Sequence, residues 1–347
     1  VNDVVDFYAL DDLDQAARLT LLAESAAAHW DGGFHDVRLV KYRENAVFSA
    51  QRSDGQRIAV RVHRHGYHSD AALQSELHWM RELADTAGIE VPPVIPSGTG
   101  DLVVRVTHPA VPEPRQVSVL GWLGGAPVGT SEDGLELDDS LAARLYFDAG
   151  ALAGSLHNHS CTMIAPAGFT RHSWDEHGLI GDDPLWGRFW ELPELLADQR
   201  EVLQRARSAA HHDLAAFGRH EVNYGLIHAD LVPENLLNED GRLKIIDFDD
   251  AGYGWYLFEL ATALYFNVDL AAYSRIQDSL IAGYRSTRPL TPHEEALLPL
   301  FLFLRGTTYV GWVQSRPETE TAKTMRPMLV ERACLLAGRY LAARGSA

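Results

Sequence analysis

Basic residues are scarce in this chain of 347: 30 Lys and Arg stand against 48 Asp and Glu, a net charge of −18. Nucleic-acid binding needs clustered cations against phosphate, so no nucleic-acid partner is expected. A cationic small substrate is compatible with that charge, although a solvated acidic surface is its commoner meaning. Cysteine is limited to Cys161 and Cys334, which no spacing pairs, and a reduced, cytoplasmic setting is expected. No run of about 18 apolar residues is present, so no membrane span is expected. The first 14 residues carry five aspartates and no basic group, which does not fit a secretory or mitochondrial leader. Repeats and low-complexity tracts are also lacking.

What is there is ordinary globular composition, 46% apolar and 22% charged, over a length sufficient for two lobes. Residues 11–30 place Leu13, Ala16, Ala17, Leu21 and Ala23 at helical spacing. Alternating segments at 37–41, 46–51 and 57–62 read as strands, with the turn signal Ser53-Asp54-Gly55 between the last two. A helix is expected over 69–84 with Leu73, Leu77, Met80 and either Leu83 or Ala84 on one face. Further strands fit 91–95, 102–107 and 116–122. Gly124-Gly125-Ala126-Pro127 reads as a linker, and the acidic run at 132–139 as a solvated loop. Beyond it the pattern is helical: 140–159, 185–210 with an interruption at Pro193, 255–266, 270–286, 293–314 and 327–343. The expected architecture is α+β and bilobal, with a β-rich lobe over 1–122 and a helical lobe over 123–347.

The helical half contains one exception, and the chemistry is concentrated there. Leu226-Ile227-His228-Ala229-Asp230-Leu231-Val232-Pro233-Glu234-Asn235 is followed by short apolar strands at 236–238 and 243–246, joined by Glu239-Asp240-Gly241. Antiparallel pairing brings Asn235 and Asp247 to the same open end of that hairpin. An Asn carbonyl and an Asp carboxylate are hard oxygen ligands suited to Mg²⁺. Asp230, one short loop away, is placed to accept the proton of an attacking hydroxyl. Phosphoryl transfer needs these parts, metal to neutralise phosphate oxygens and a carboxylate to position the nucleophile. His228 fits a role in holding the loop better than one in proton transfer, because Asp230 already occupies the base position.

His228-Ala229-Asp230 with Asn235, then Asp247-Phe248-Asp249, matches the kinase pattern H-x-D-x4-N followed by D-F-G. The chain resembles the aminoglycoside phosphotransferase and choline kinase family, which shares the protein-kinase-like fold. From residue 226 to 264, including Ile246-Asp247-Phe248-Asp249-Asp250 and Tyr256-Leu257-Phe258-Glu259-Leu260-Ala261, it is similar to homoserine-kinase type II and stress-response-kinase-like members. The resemblance implies a bilobal fold, Mg²⁺ and a nucleoside triphosphate, ATP or GTP. A protein kinase carries a long activation segment after D-F-G. Here residues 247–254 run almost directly into an apolar helix, which favours a small hydroxyl-bearing acceptor over a protein.

On the nucleotide side a G-x-G-x-x-G loop is absent. Tyr42-Arg43-Glu44-Asn45-Ala46 resembles the family's turn over the triphosphate, with Asn45 as a contact; a plain hairpin turn is the alternative. Arg61 in Ile58-Ala59-Val60-Arg61-Val62 stands where kinases place a strand lysine, with Glu76 as its helix partner. Adenine is expected against backbone near Gly121 and Leu123. Trp174 and Asp175 are candidates for acceptor contact, or else a packed Trp and a capping Asp. Asp249 is a further candidate for acceptor contact or faces the metal site, or else caps the turn before the helix that starts near Trp255. Tyr309 and Trp312 lie on a mainly core-facing helix and are candidates to line an acceptor site. The histidine groups His63/His65/His68 and His157/His159/Cys161 do not fit zinc spacing well.

The expected activity is transfer of the γ-phosphate of ATP to a hydroxyl of an aminoglycoside, amino sugar, amino alcohol or homoserine-like molecule. The alternatives are a stress-response type Ser/Thr protein kinase and a nucleotide-binding pseudokinase.

Overall fold

The computed structural model describes residues 6–130 and 139–345, so all but the last residue of the acidic run at 132–139 lies outside the described residues. The chain divides into two compact units, Val1–Gly124 with Ala165–Thr170, and Gly125–Ile164 with Arg171–Ala347.

The first unit is an antiparallel sheet flanked by helices. Its strands are β1 (Phe34–Tyr42), β2 (Ala46–Arg52), β3 (Arg57–Val62), β4 (Val94–Ile95), β5 (Val104–Val106) and β6 (Arg115–Gly121). They are ordered β1-β2-β3-β6-β4, with β5 also on β6. Alternation along β3 sends Ile58, Val60 and Val62 into a core with Phe48, Val117 and Val119. Helix α1 (Asp12–Ala26) closes that core with Leu19, Leu22, Ala23 and Ala26. Arg61, of opposite parity, stands between Val47 and Ser118 on the neighbouring strands. Helix α2 (Asp70–Thr86) starts at Ser69, whose hydroxyl accepts from the Ala72 N–H, and buries Leu73, Leu77, Met80 and Leu83.

The second unit is mostly helical: α3 (Asp139–Thr162), α4 (Glu176–Ile180), α5 (Ala197–Phe217), α6 (Tyr256–Tyr265), α7 (Tyr273–Thr287), α8 (Pro292–Ala296), α9 (Leu298–Ser315) and α10 (Glu320–Arg344). Its short strands are β7 (Ala126–Pro127), β8 (Ser173–Trp174), β9 (Tyr224–Ile227), β10 (Leu236–Glu239), β11 (Arg242–Ile245) and β12 (Gly252–Trp255). Helix α3 lies along α7, and Gly283 permits the approach, because a Cβ there would collide with the Phe147 carbonyl. Helix α9 packs against both α6 and α10.

Several elements depart from their expected bounds. The helix expected at 185–210 begins only at Ala197; before it, Pro184, Gly187 and Pro193 impose irregular backbone, and the Arg200 guanidinium takes the carbonyls of Trp190 and Leu192. Ala126–Pro127, expected as linker, pairs along the edge of β10. The helix expected at 293–314 is two, separated at Leu297, with a capping box between Thr291 and Glu294 starting the first. Helix α10 starts seven residues before the expected 327 and carries Pro327 inside it. Strands β8, β9 and β12 were not expected.

Candidate active site

The hairpin β10–β11 turns through Asp240 and Gly241, both with positive φ (52° and 84°), as a two-residue turn matched to strand twist requires. Its register sets Leu236 opposite Ile245, and Ile246 N–H donates to the Asn235 carbonyl at 3.0 Å. Asn235 and Asp247 therefore flank the open end. The Asn235 amide nitrogen donates to the Asp230 carbonyl (2.9 Å) and to Asp230 Oδ2 (2.7 Å). Its carbonyl oxygen is thereby left as the atom able to meet a metal. Asp247 is exposed and holds a left-handed φ of 66°, a conformation that aspartate tolerates better than most side chains.

Strand β9 delivers the chain to His228, which is fully buried. His228 Nδ1 accepts from the Asp230 N–H at 3.3 Å, and Nε2 lies 3.0 Å from the Ile246 carbonyl. With one nitrogen accepting and the other donating, the ring ties the loop to the hairpin. Ala229 is fully buried at φ 64°. Its N–H and that of His228 both donate to Glu259 Oε2, at 3.1 and 2.5 Å. Its carbonyl accepts from Arg305 Nη1 at 3.0 Å, and Arg305 Nη2 reaches Asp230 Oδ1 at 2.8 Å and the Tyr309 hydroxyl at 2.6 Å.

Asp230 keeps 22% of its side-chain surface exposed while both of its oxygens are hydrogen-bonded. Burial pushes its carboxyl up to about 6 against the pull of Arg305, and the charges of Asp247 and Glu234 push the same way. Glu259 is pushed up to about 7 by burial, which its two backbone donors and Arg305 only partly oppose. Asp250, half-buried, is pushed well above the carboxylate range by burial and by the charges of Asp230 and Asp249.

Residues 171–174 hold the loop after Asp247. The buried Arg171 guanidinium donates to the carbonyls of Phe248, Asp249 and Ala251, while His172 Nε2 (3.0 Å) and Trp174 Nε1 (2.8 Å) both meet the Asp250 carbonyl. Trp174 is fully buried, stacked on Phe258 and edge-on to Trp186. Asp175 caps α4, accepting from the His177 and Gly178 N–H groups, and pairs with Arg219 at 2.8 Å. These two residues are thus engaged in packing and capping. Asp249 is buried, and β12 separates it from α6, so it does not cap that helix. Tyr309, half-buried, meets Tyr265, Phe266 and Trp186, and Trp312 lies under the Arg316 guanidinium. His157 stacks on Tyr256 and bonds with the Tyr284 hydroxyl.

Within the first unit, Arg61 Nη1 and Glu76 Oε1 form a buried ion pair of 2.6 Å. Asn45 Oδ1 accepts from the Arg64 N–H at 3.1 Å, beside an Arg64–Glu44 ion pair. Gly121 N–H donates to the Pro93 carbonyl and Trp122 N–H to that of Arg57. Leu123, half-buried, follows them.

Glu259, Arg305 and Arg171 lie in stretches that the sequence brings to notice, but the sequence assigns none of them a role in the site. A fully buried arginine in the apolar run Phe301-Leu302-Phe303-Leu304-Arg305 and a glutamate inside Leu257-Phe258-Glu259-Leu260-Ala261 were the available signals. A charge in such a run needs a partner.

Residues 37–290 match the phosphotransferase enzyme family. The amicoumacin kinase of Bacillus subtilis is 30% identical over 305 residues, 84% of this chain and 83% of that protein. A homoserine kinase of Mesorhizobium japonicum is 30% identical over 231 residues, 60% of this chain and 68% of that one. The solved structure of a microcompartment-associated aminopropanol kinase superposes with a TM-score of 0.82 at 35% identity, covering 94% of this chain and 98% of the other. The α+β fold is that of the protein-kinase-like phosphotransferases. The chain belongs to the phosphotransferase enzyme family, and it is a kinase.

Proposed function

We propose that this kinase transfers the γ-phosphate of ATP to the hydroxyl of a small amino alcohol. The observation that carries the reading is Asp230: a partly exposed carboxylate on a loop tied at both ends, with one oxygen on Arg305 and the other on Asn235. Each oxygen keeps a lone pair free. The acceptor hydroxyl attacks the γ-phosphorus, the bond to the β-phosphate oxygen breaks, ADP leaves, and Asp230 takes the hydroxyl proton. Asn235 and Asp247 fit a magnesium ion: the Asn amide nitrogen is committed to Asp230, leaving two hard oxygen donors at the hairpin's open end. When bound, the ion neutralises charge on the phosphate oxygens. In the first unit, Arg61 held by Glu76 contacts phosphate, while Asn45 and the backbone near Gly121 and Leu123 hold the nucleotide.

The acceptor class rests on relatives named for aminopropanol and homoserine, each carrying an amine and a hydroxyl. A protein acceptor is disfavoured because β12 begins at Gly252, leaving only residues 248–251 after Asp247 where a peptide-docking segment would run. The test is ATP consumption with aminopropanol, homoserine, choline and an aminoglycoside, beside a protein such as casein. Phosphate on an amino alcohol supports the reading. Phosphate on protein alone overturns it.

A further inference from the structure

We propose that Arg305 is a positioning residue for phosphoryl transfer, fixing Asp230 by gripping the peptide before it and the carboxylate itself. The inference rests on the reading of Asp230 as the group that receives the hydroxyl proton.

Arg305 sits inside α9, among Phe301, Phe303 and Leu304, with no exposed surface. Taking a guanidinium out of water is costly, and an ion pair made by a fully buried arginine is seldom better for stability than apolar packing of the same volume. The compensation is incomplete as well, since Arg305 Nε has no hydrogen-bond partner among the described residues. Packing alone does not explain an arginine here. What its other nitrogens hold does: the Ala229 carbonyl, Asp230 Oδ1 and the Tyr309 hydroxyl, with the Tyr309 ring 4.3 Å from the guanidinium carbon.

The grip acts where the backbone is unfavourable. Ala229 has φ 64°, a left-handed conformation that is unfavourable for a non-glycine residue. Its peptide groups are held from both sides, the N–H by the buried Glu259 and the C=O by the buried Arg305. That geometry orients the Asp230 side chain, and Arg305 then sets its rotation through Oδ1. Tyr309 fixes the arginine in turn.

The test is steady-state kinetics of Arg305→Lys and Tyr309→Phe with MgATP and the amino alcohol that the wild type uses best, alongside Asp230→Asn. Lysine keeps the charge but cannot span Ala229 O and Asp230 Oδ1 as a planar fork does. The expected result for Arg305→Lys is a kcat about 10²-fold lower with KM for ATP and acceptor within about threefold, since a misplaced group near the reacting atoms costs on that order. Tyr309→Phe should lose less, with the same split. Full kcat in Arg305→Lys, or a loss confined to KM, overturns the proposal while leaving Asp230 in place. Turnover retained by Asp230→Asn, or a wild type inactive with every acceptor, brings down the reading beneath it. Should Arg305→Lys not fold, Tyr309→Phe decides by the same split.

Discussion

Ala229 shows how charge, burial and conformation are combined at a single residue. Its left-handed φ is held by Glu259 on its N–H and Arg305 on its carbonyl, both of them buried ionisable side chains close to Asp230. Glu259 gives a pH signature. Its folded value of about 7 lies above the ordinary 4.5, so between those limits the native state keeps a proton that the unfolded chain releases. Stability from this group is therefore present below about pH 4.5 and is lost as pH rises to about 7, at up to about 1.4 kcal/mol per pH unit. Glu259→Gln keeps an oxygen for the two N–H groups and removes the titration. Urea unfolding at pH 5 and pH 7.5 should show the wild type losing more than the variant over that interval; equal losses would contradict the assignment. Asp247→Ala should abolish Mg²⁺-dependent ATP binding by calorimetry, while metal-independent binding persists; unchanged metal dependence would remove Asp247 from the metal site. Asp230, Asn235 and Asp247 were legible in the sequence because one short hairpin sets their spacing. Glu259 and Arg305 were not, because they meet the loop from 31 and 75 residues away.

Among the elements, the strand signals that failed are those that depend on distant pairing. Gly252-Tyr253-Gly254-Trp255 has weak intrinsic strand preference, yet it pairs antiparallel with Tyr224–Ile227 and parallel with Ser173–Trp174. That small sheet brings Arg171, His172 and Trp174 against the carbonyls of the loop after Asp247. The chain thus orders the loop after Asp247 with side-chain donors rather than a long segment of its own. Arg171→Met should cost about 1–3 kcal/mol of stability from carbonyls left unpaired. It should also lower kcat beyond what the remaining folded fraction explains. A variant with normal kcat per folded molecule would show that the loop holds its place without the strap. The helices were read well where periodicity is strong, as in α2, and poorly where prolines cluster, as before α5.

For the whole molecule, the α+β plan and its β-rich and helical parts follow from patterning, and family membership follows from 254 matched positions, 37–290. Acceptor identity is not written in composition: the charge of −18 is compatible with a cationic amino alcohol but does not select one. No helix among the described residues is long and apolar enough to cross a membrane. Kinases of related sequence are named for different compounds, amicoumacin, homoserine and aminopropanol among them, so the acceptor has to be read from the product. The most direct measurement is mass spectrometry of aminopropanol and homoserine after incubation with MgATP and either wild-type protein or Asp230→Asn, with ATP binding to both proteins followed by calorimetry. The account predicts a mono-phosphorylated amino alcohol with the wild type and none with the variant, at comparable ATP affinity. Phosphorylated product from Asp230→Asn at the wild-type rate would contradict it.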